Sequence, residues 1–114
     1  MSYSMTPFEV ASKGLGAPVK VHFVHLYPAI AMRHSDSMDA VFLVDGQKAT
    51  VAISCAALAD LRDREGKKLT DQQLVDIASL HLRRTLQQGY EATQAELGLG
   101  GEPLRSLARE LGYL

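Results

Sequence analysis

Asp39-Ala-Val-Phe-Leu-Val-Asp-Gly-Gln-Lys-Ala-Thr-Val-Ala-Ile-Ser54 is the stretch whose reading decides the fold. Ala40–Val44 and Gln47–Ile53 are rich in β-branched and aromatic residues, and Asp45-Gly46 between them tolerates the positive φ angles of a tight turn. The spacing predicts a β-hairpin over 40–53 with Phe42 opposite Ala49 and Val44 opposite Gln47. Since side chains alternate, Phe42, Val44, Ala49, Val51 and Ile53 share the face that meets the helices. Val41, Leu43, Lys48, Thr50 and Ala52 make up a second, mixed and half-exposed face.

Working outward, Ser54 stands where a helix N-cap belongs, before Cys-Ala-Ala-Leu-Ala-Asp-Leu61, and Gly66 supplies the stop. Thr70-Asp-Gln-Gln73 has the capping-box spacing and opens a longer helix that runs to about Gln88 and closes at Gly89. Its apolar arc takes in Leu74, Val75, Ile77, Ala78, Leu82 and Leu86, with His81 and Thr85 on the same arc and Leu80 outside it. Ala92 and Ala95 suggest another helical turn, Gly98-Leu-Gly-Gly101 breaks the chain, and a last helix with Pro103 in its first turn ends at Gly112. Upstream, Val19, Val21, Phe23, His25 and Tyr27 alternate with Lys20, His22, Val24 and Leu26, which predicts a strand with the two sets on opposite faces. The expected organisation is a mobile N-terminal arm over 1–16, a single α+β domain over 17–89, and a helical C-terminal extension over 90–114. The fold class is α+β: a small antiparallel sheet of three or four strands, in an order left open, packed against two or three helices.

The segment Asp39-Ala-Val-Phe-Leu-Val-Asp-Gly46, with Val51-Ala-Ile-Ser-Cys-Ala-Ala-Leu-Ala-Asp-Leu61 and the helix to Gly89, resembles the DUF1488 family of small bacterial proteins. The shared features are a Phe-bearing strand, an Asp-Gly turn, a strand ending in Ile-Ser, an Ala-Leu helix start and a final helix, over roughly residues 39–89. The resemblance implies a compact α+β module in a bacterial cytoplasm and brings no catalytic residues with it. The N-terminal arm and strand and the tail from Tyr90 to Leu114 depart from the family's compact pattern.

Charge and cysteine usage narrow the function classes. Twelve basic against thirteen acidic residues leave a net charge of −1, which removes the general electrostatic argument for nucleic acid or an anionic membrane. Cys55 is the single cysteine, so no intramolecular disulfide forms and a reducing cytoplasm is expected. Met1 to Val10 has neither a basic start nor an apolar run, and the longest apolar stretch, Leu26 to Met32, contains Pro28, so neither export nor membrane insertion is expected.

Several residues are candidates for chemistry. Cys55, at the first position of a capped helix, is the catalytic candidate, with His81 as its base if the two helices lie side by side. The commoner role of a cysteine among alanines and leucines is packing, and burial with slow thiol labelling is expected. His34, Asp36 and Asp39 share a polar loop and are the candidate metal ligands, although solvated loop polars are the more usual reading. His22 and His25, three apart on a strand, are expected on opposite faces and make a poor chelate. Neither Gly14-Leu-Gly16 nor Gly98-Leu-Gly-Gly101 has the context of a phosphate cradle. Ser106-Leu-Ala-Arg-Glu-Leu-Gly-Tyr113 has the pattern of the first helix and turn of a helix-turn-helix unit, but the sequence stops where a recognition helix would start. Arg62, Arg64, Lys67, Lys68, Arg83 and Arg84 interleave with Asp60, Asp63, Glu65 and Asp71, the pattern of a solvated mixed-charge face.

These observations lead to a non-catalytic protein-interaction or oligomerisation module that needs no cofactor and no resident metal. The expected partners are a second copy or another protein, with Leu80, Leu104, Leu107 and Leu111 as the interface. A nucleic-acid-associated accessory protein and a thiol-dependent enzyme using Cys55 are the alternatives.

Overall fold

The computed structural model of the protein describes residues 8–11, 18–29, 37–66, 68–88 and 97–114. The hairpin forms as its residues dictate. Strands β3 (Ser37–Val44) and β4 (Gln47–Ser54) pair antiparallel with Phe42 opposite Ala49 and Val44 opposite Gln47. Asp45 and Gly46 turn the chain at φ 49° and 82°, both positive as a two-residue type I′ loop requires. The turn is also tied to its neighbour: Asp45 N–H donates to the Lys20 carbonyl at 2.8 Å, and the Asp45 carboxylate accepts from Lys20 N–H at 2.8 Å.

That neighbour is β2 (Pro18–Ala29), which pairs antiparallel with β3, and β1 (Phe8–Ala11) pairs antiparallel with β2. Within the stretch 1–16, expected as a mobile arm, Phe8–Ala11 is an ordered strand, and the rest of that stretch lies outside the described residues. The segment Phe-Glu-Val-Ala alternates apolar and polar, Val10 is buried and Glu9 exposed, and it takes its order from pairing with β2 rather than from its own propensity.

On the other edge, β5 (Leu97–Leu99) pairs with β4 in parallel, so the described sheet has five strands in the order β1-β2-β3-β4-β5 and is mixed. The expectation of three or four antiparallel strands is thereby corrected in number and in direction. Leu97-Gly-Leu99 has no strand signal of its own length. It becomes a strand because the helices between β4 and β5 form the long crossover that a parallel neighbour needs.

These helices are α1 (Cys55–Glu65) and α2 (Asp71–Gln87). Ser54 Oγ accepts from Ala57 N–H at 3.2 Å, and Gly66 ends α1 with φ 66°. The capping box of α2 is complete: Thr70 Oγ1 accepts from Gln73 N–H at 3.2 Å, and Gln73 Oε1 accepts from Thr70 N–H at 2.9 Å. The expected arc of α2, Leu74 to Leu86, is buried against Ala40, Phe42, Val44, Val51 and Ile53 of the sheet. Phe23 and Phe42 meet edge to face, with centroids 5.6 Å apart. The helical turn expected around Ala92 and Ala95 lies outside the described residues.

The last helix, α3 (Gly101–Glu110), packs on the same core: Leu104 is 1% exposed and Leu107 5%, with Ala108 fully buried. It ends in a Schellman turn, in which Gly112 N–H donates to the Arg109 carbonyl at 3.0 Å and Tyr113 N–H to the Ala108 carbonyl at 2.8 Å. Tyr113 Oη then reaches α2 and donates to Asp76 Oδ2 at 2.5 Å. Arg84 and Glu110 form a two-pronged ion pair from α2 to α3, and Arg105 of α3 bonds Asp60 of α1 at 2.7 Å.

One irregularity changes the reading of β2. The register slips between Phe23 and His25, leaving Val24 as an extra residue. Val21 and Phe23 lie opposite Val44 and Phe42, then Leu26 lies opposite Ala40, and all three partners are core residues. The inward set passes from odd to even numbers at the bulge. His22, opposite Leu43, and His25, opposite Val41, therefore share the outer face, against the expectation that they project to opposite sides.

Candidate functional site

Two concave places and one sheet face account for the candidate residues. The larger concavity, of about 300 Å³, lies where α1, the start of α2 and β3 meet. Its apolar wall comes from Met38, Leu58, Leu69 and Leu74, and Cys55 is part of it. Leu69 and Leu74 occupy the two hydrophobic-staple positions on either side of the Thr70 cap, so the local rule that sets the entry angle of α2 also shapes this wall. Cys55 is half-buried, between the full burial expected of a packing residue and the access a reactive thiol needs.

The smaller concavity, of about 240 Å³, lies between the C-terminal half of α2 and the start of α3, and His81, Thr85 and Ser106 contribute to it. Burial lowers the His81 pKa from its ordinary 6.5, which favours the neutral imidazole. Cys55 and His81 line different cavities, and Leu74, which does share the cleft of Cys55, is seven residues and about 10 Å along α2 from His81. The thiol and the imidazole are thus not brought together as nucleophile and base.

Of the loop ligands, His34 and Asp36 lie outside the described residues. Asp39 is 4% exposed and accepts from Ser37 Oγ at 2.6 Å, a local bond that satisfies a buried carboxylate. Among the described residues, no group of three or more His, Cys, Asp or Glu side chains is placed to hold a metal ion. The expected interface also changes. Leu104 and Leu107 belong to the chain's own core, and Leu80 and Leu111 are half-buried against it. The amphipathic stripe of α3 finds its surface in cis because β5 carries the helix back across the α1–α2 layer.

The mixed-charge reading of the helical surface fits the pairs that form. Arg64 bonds Asp60 at 2.8 Å, Arg62 approaches Asp63 at 3.5 Å, and Arg105 collects Asp60, Glu65 and Glu102 within 3.9 Å. Lys67 lies outside the described residues. In Gly98-Leu-Gly-Gly101, a Cβ on Gly100 would sit 3.3 Å from Ser54 Cβ and 3.5 Å from Ala57 Cβ. That glycine lets the start of α3 approach the start of α1, which is a packing role.

The outer face of the sheet is the feature that the sequence concealed. The core cluster takes the inner side chains of β1 to β4 together with residues of α2, β5 and α3, and Val41 and Thr50 of the outer face stand apart from it. Toward the hairpin tip this face is exposed, with Lys20, His22, His25, Leu43 and Lys48 at the surface. Leu43 at 36% and Val24 at 46% are the large hydrophobics exposed among the described residues, on adjacent strands.

No family model matches the chain, and neither a curated protein nor a solved structure matches it. No helix among the described residues is long and apolar enough to cross a membrane.

Proposed function

We propose that the protein is a non-catalytic interaction module that self-associates through the exposed half of its outer sheet face. The observation that carries this reading is the pair Val24 and Leu43. They are the exposed large hydrophobics among the described residues, they lie on neighbouring strands, and the apolar surface of α3 is already consumed within the chain. An apolar strip rimmed by Lys20, His22 and Lys48 has the composition of a small interface core with a polar edge. A sheet face of this kind pairs with its own copy about a two-fold axis, which is the commonest symmetry of soluble oligomers.

Membership of the DUF1488 family belongs to the same proposal. What supports it is the order of strand, Asp-Gly turn, strand ending in Ile-Ser, capped Ala-Leu helix and final helix over residues 39–89, together with the hairpin register. A cytoplasmic setting belongs to it too, supported by Cys55 being the single cysteine of the sequence.

Sedimentation velocity from low to high micromolar concentration tests the reading. Wild type is expected to pass from monomer to dimer, and the double variant Val24→Thr with Leu43→Thr, which keeps β-compatible side chains, to stay monomeric with an unchanged circular dichroism spectrum. A wild-type protein that remains monomeric throughout refutes self-association.

A further inference from the structure

The cleft between α1 and the start of α2 is independent of the sheet face and has a chemistry of its own. Its 300 Å³ lies at the small end of the range for ligand sites and equals the liquid volume of about ten waters at roughly 30 Å³ each. Met38, Leu58 and Leu69 pack against the core yet remain half-exposed, because their free sides line this space. Water against such a wall is displaced favourably by an apolar group.

The charge around the opening is uneven. Arg62 and Lys68 stand at the cleft against a single carboxylate, Asp71. Arg62 has an exposed approach to Asp63 at 3.5 Å, the kind of pair that solvent weakens, and Lys68 makes no ion pair among the described residues. Asp71 is the first residue of α2, where the positive end of its own helix offsets its charge. Cys55, the first residue of α1, lines the opposite end of the cleft, about 10 Å along that helix from Arg62.

The geometry points to a binding site for an aliphatic carboxylate, whose chain fills the Met38–Leu58–Leu69 wall toward Cys55 and whose head group lies between Arg62 and Lys68. By volume the chain is about eight carbons, with each carbon taken as close to one water in size. The uneven charge selects the sign of the head group, and the wall selects an apolar body.

Calorimetric titration of the whole chain with sodium octanoate, octylammonium chloride and butyrate at fixed ionic strength tests the site. A second readout is the rate at which N-ethylmaleimide labels Cys55. Octanoate is expected to saturate, to bind at least tenfold more tightly than octylammonium or butyrate, and to slow Cys55 labelling. Lys68→Glu, an exposed substitution, is expected to weaken octanoate several-fold and to strengthen octylammonium. Equal affinity for octanoate and octylammonium overturns the assignment and leaves an apolar slot of the kind a partner's side chain fills. Saturation without protection of Cys55, unchanged affinity in Lys68→Glu, or no saturation at all also overturns it. The Val24→Thr and Leu43→Thr double variant retains octanoate binding, so this site and the sheet-face reading fail separately.

Discussion

Leu104→Ala measures whether α3 belongs to the core of its own chain. Leu104 is 1% exposed and is among the largest fully buried side chains. Truncation to Ala removes about three methylene equivalents at roughly 0.8 kcal/mol each, and incomplete closure of the space adds to this, for an expected loss of about 3 kcal/mol. Against a total stability of roughly 5–10 kcal/mol for a domain of this size, that is a large fraction. Urea unfolding followed by circular dichroism reads it directly. With a slope of about 1.5 kcal/mol per M, the midpoint falls by about 2 M at unchanged slope. The shift is the same at low and high protein concentration, because the lost contacts are intramolecular. Association through the sheet face raises the midpoints of wild type and variant alike with concentration, whereas had α3 docked on a second copy the mutation would weaken that dependence. A loss below about 1 kcal/mol, or a mutational shift that varies with protein concentration, refutes the placement of α3. Glu110→Gln is the control: it removes an exposed ion pair with Arg84 and leaves the midpoint nearly unchanged.

The lowered pKa of His81 means that the unfolded chain binds its proton more readily, so the contribution is complete above pH 6.5 and is lost as the pH falls through the lower folded value. His81→Gln is expected to flatten the pH dependence of stability in that window, and an unchanged slope counts against it. Tyr113 donates to Asp76, which with burial pushes its pKa from 10 up to about 12. Its contribution is present below pH 10 and is lost as the pH rises through 12, and Tyr113→Phe is expected to cost about 1 kcal/mol near neutrality and to abolish the shifted phenol titration seen by ultraviolet absorbance. Gly100→Val forces branched carbons toward Ser54 and Ala57 and is expected to lower the urea-derived stability by about 1–3 kcal/mol, whereas Gly98→Ala, which meets nothing within 4 Å, leaves it almost unchanged.

What was legible in the sequence was local. The Asp45-Gly46 turn, the Ser54 cap, the Thr70–Gln73 box and the Gly112 stop each rest on bonds made within a few residues, and all four form as read. What was not legible depended on distant neighbours. Val10 acquires its place from Val19 across the sheet, and Leu97–Leu99 from Val51–Ile53, so neither short segment carries its strand in its own composition. The leucines of α3 were visible as a stripe, but a stripe does not say whether its cover lies in the same chain. The parallel strand that precedes α3 settles that, by returning the chain to the core. The cleft escaped for a related reason: Leu69 reads as a linker residue until it is seen as the staple partner of Leu74.

The bulge at Val24 is the step on which the outer face turns. Strict alternation sends Val24 and Leu26 outward with Lys20 and His22, which puts two branched apolar residues in a row on a polar face. That anomaly was the available signal. Inserting one residue at Val24 restores agreement for everything beyond it, since Leu26 then joins Phe23 inside and His25 joins His22 outside. Val24, the inserted residue, is unpaired in the ladder and 46% exposed, with Leu43 on the neighbouring strand. A strand that alternated without interruption would turn His25 inward and expose Leu26 together with Val24. The register irregularity therefore buries Leu26 and returns His25 to the outer face, while Val24 stays exposed on the surface through which the chain is proposed to meet its partner.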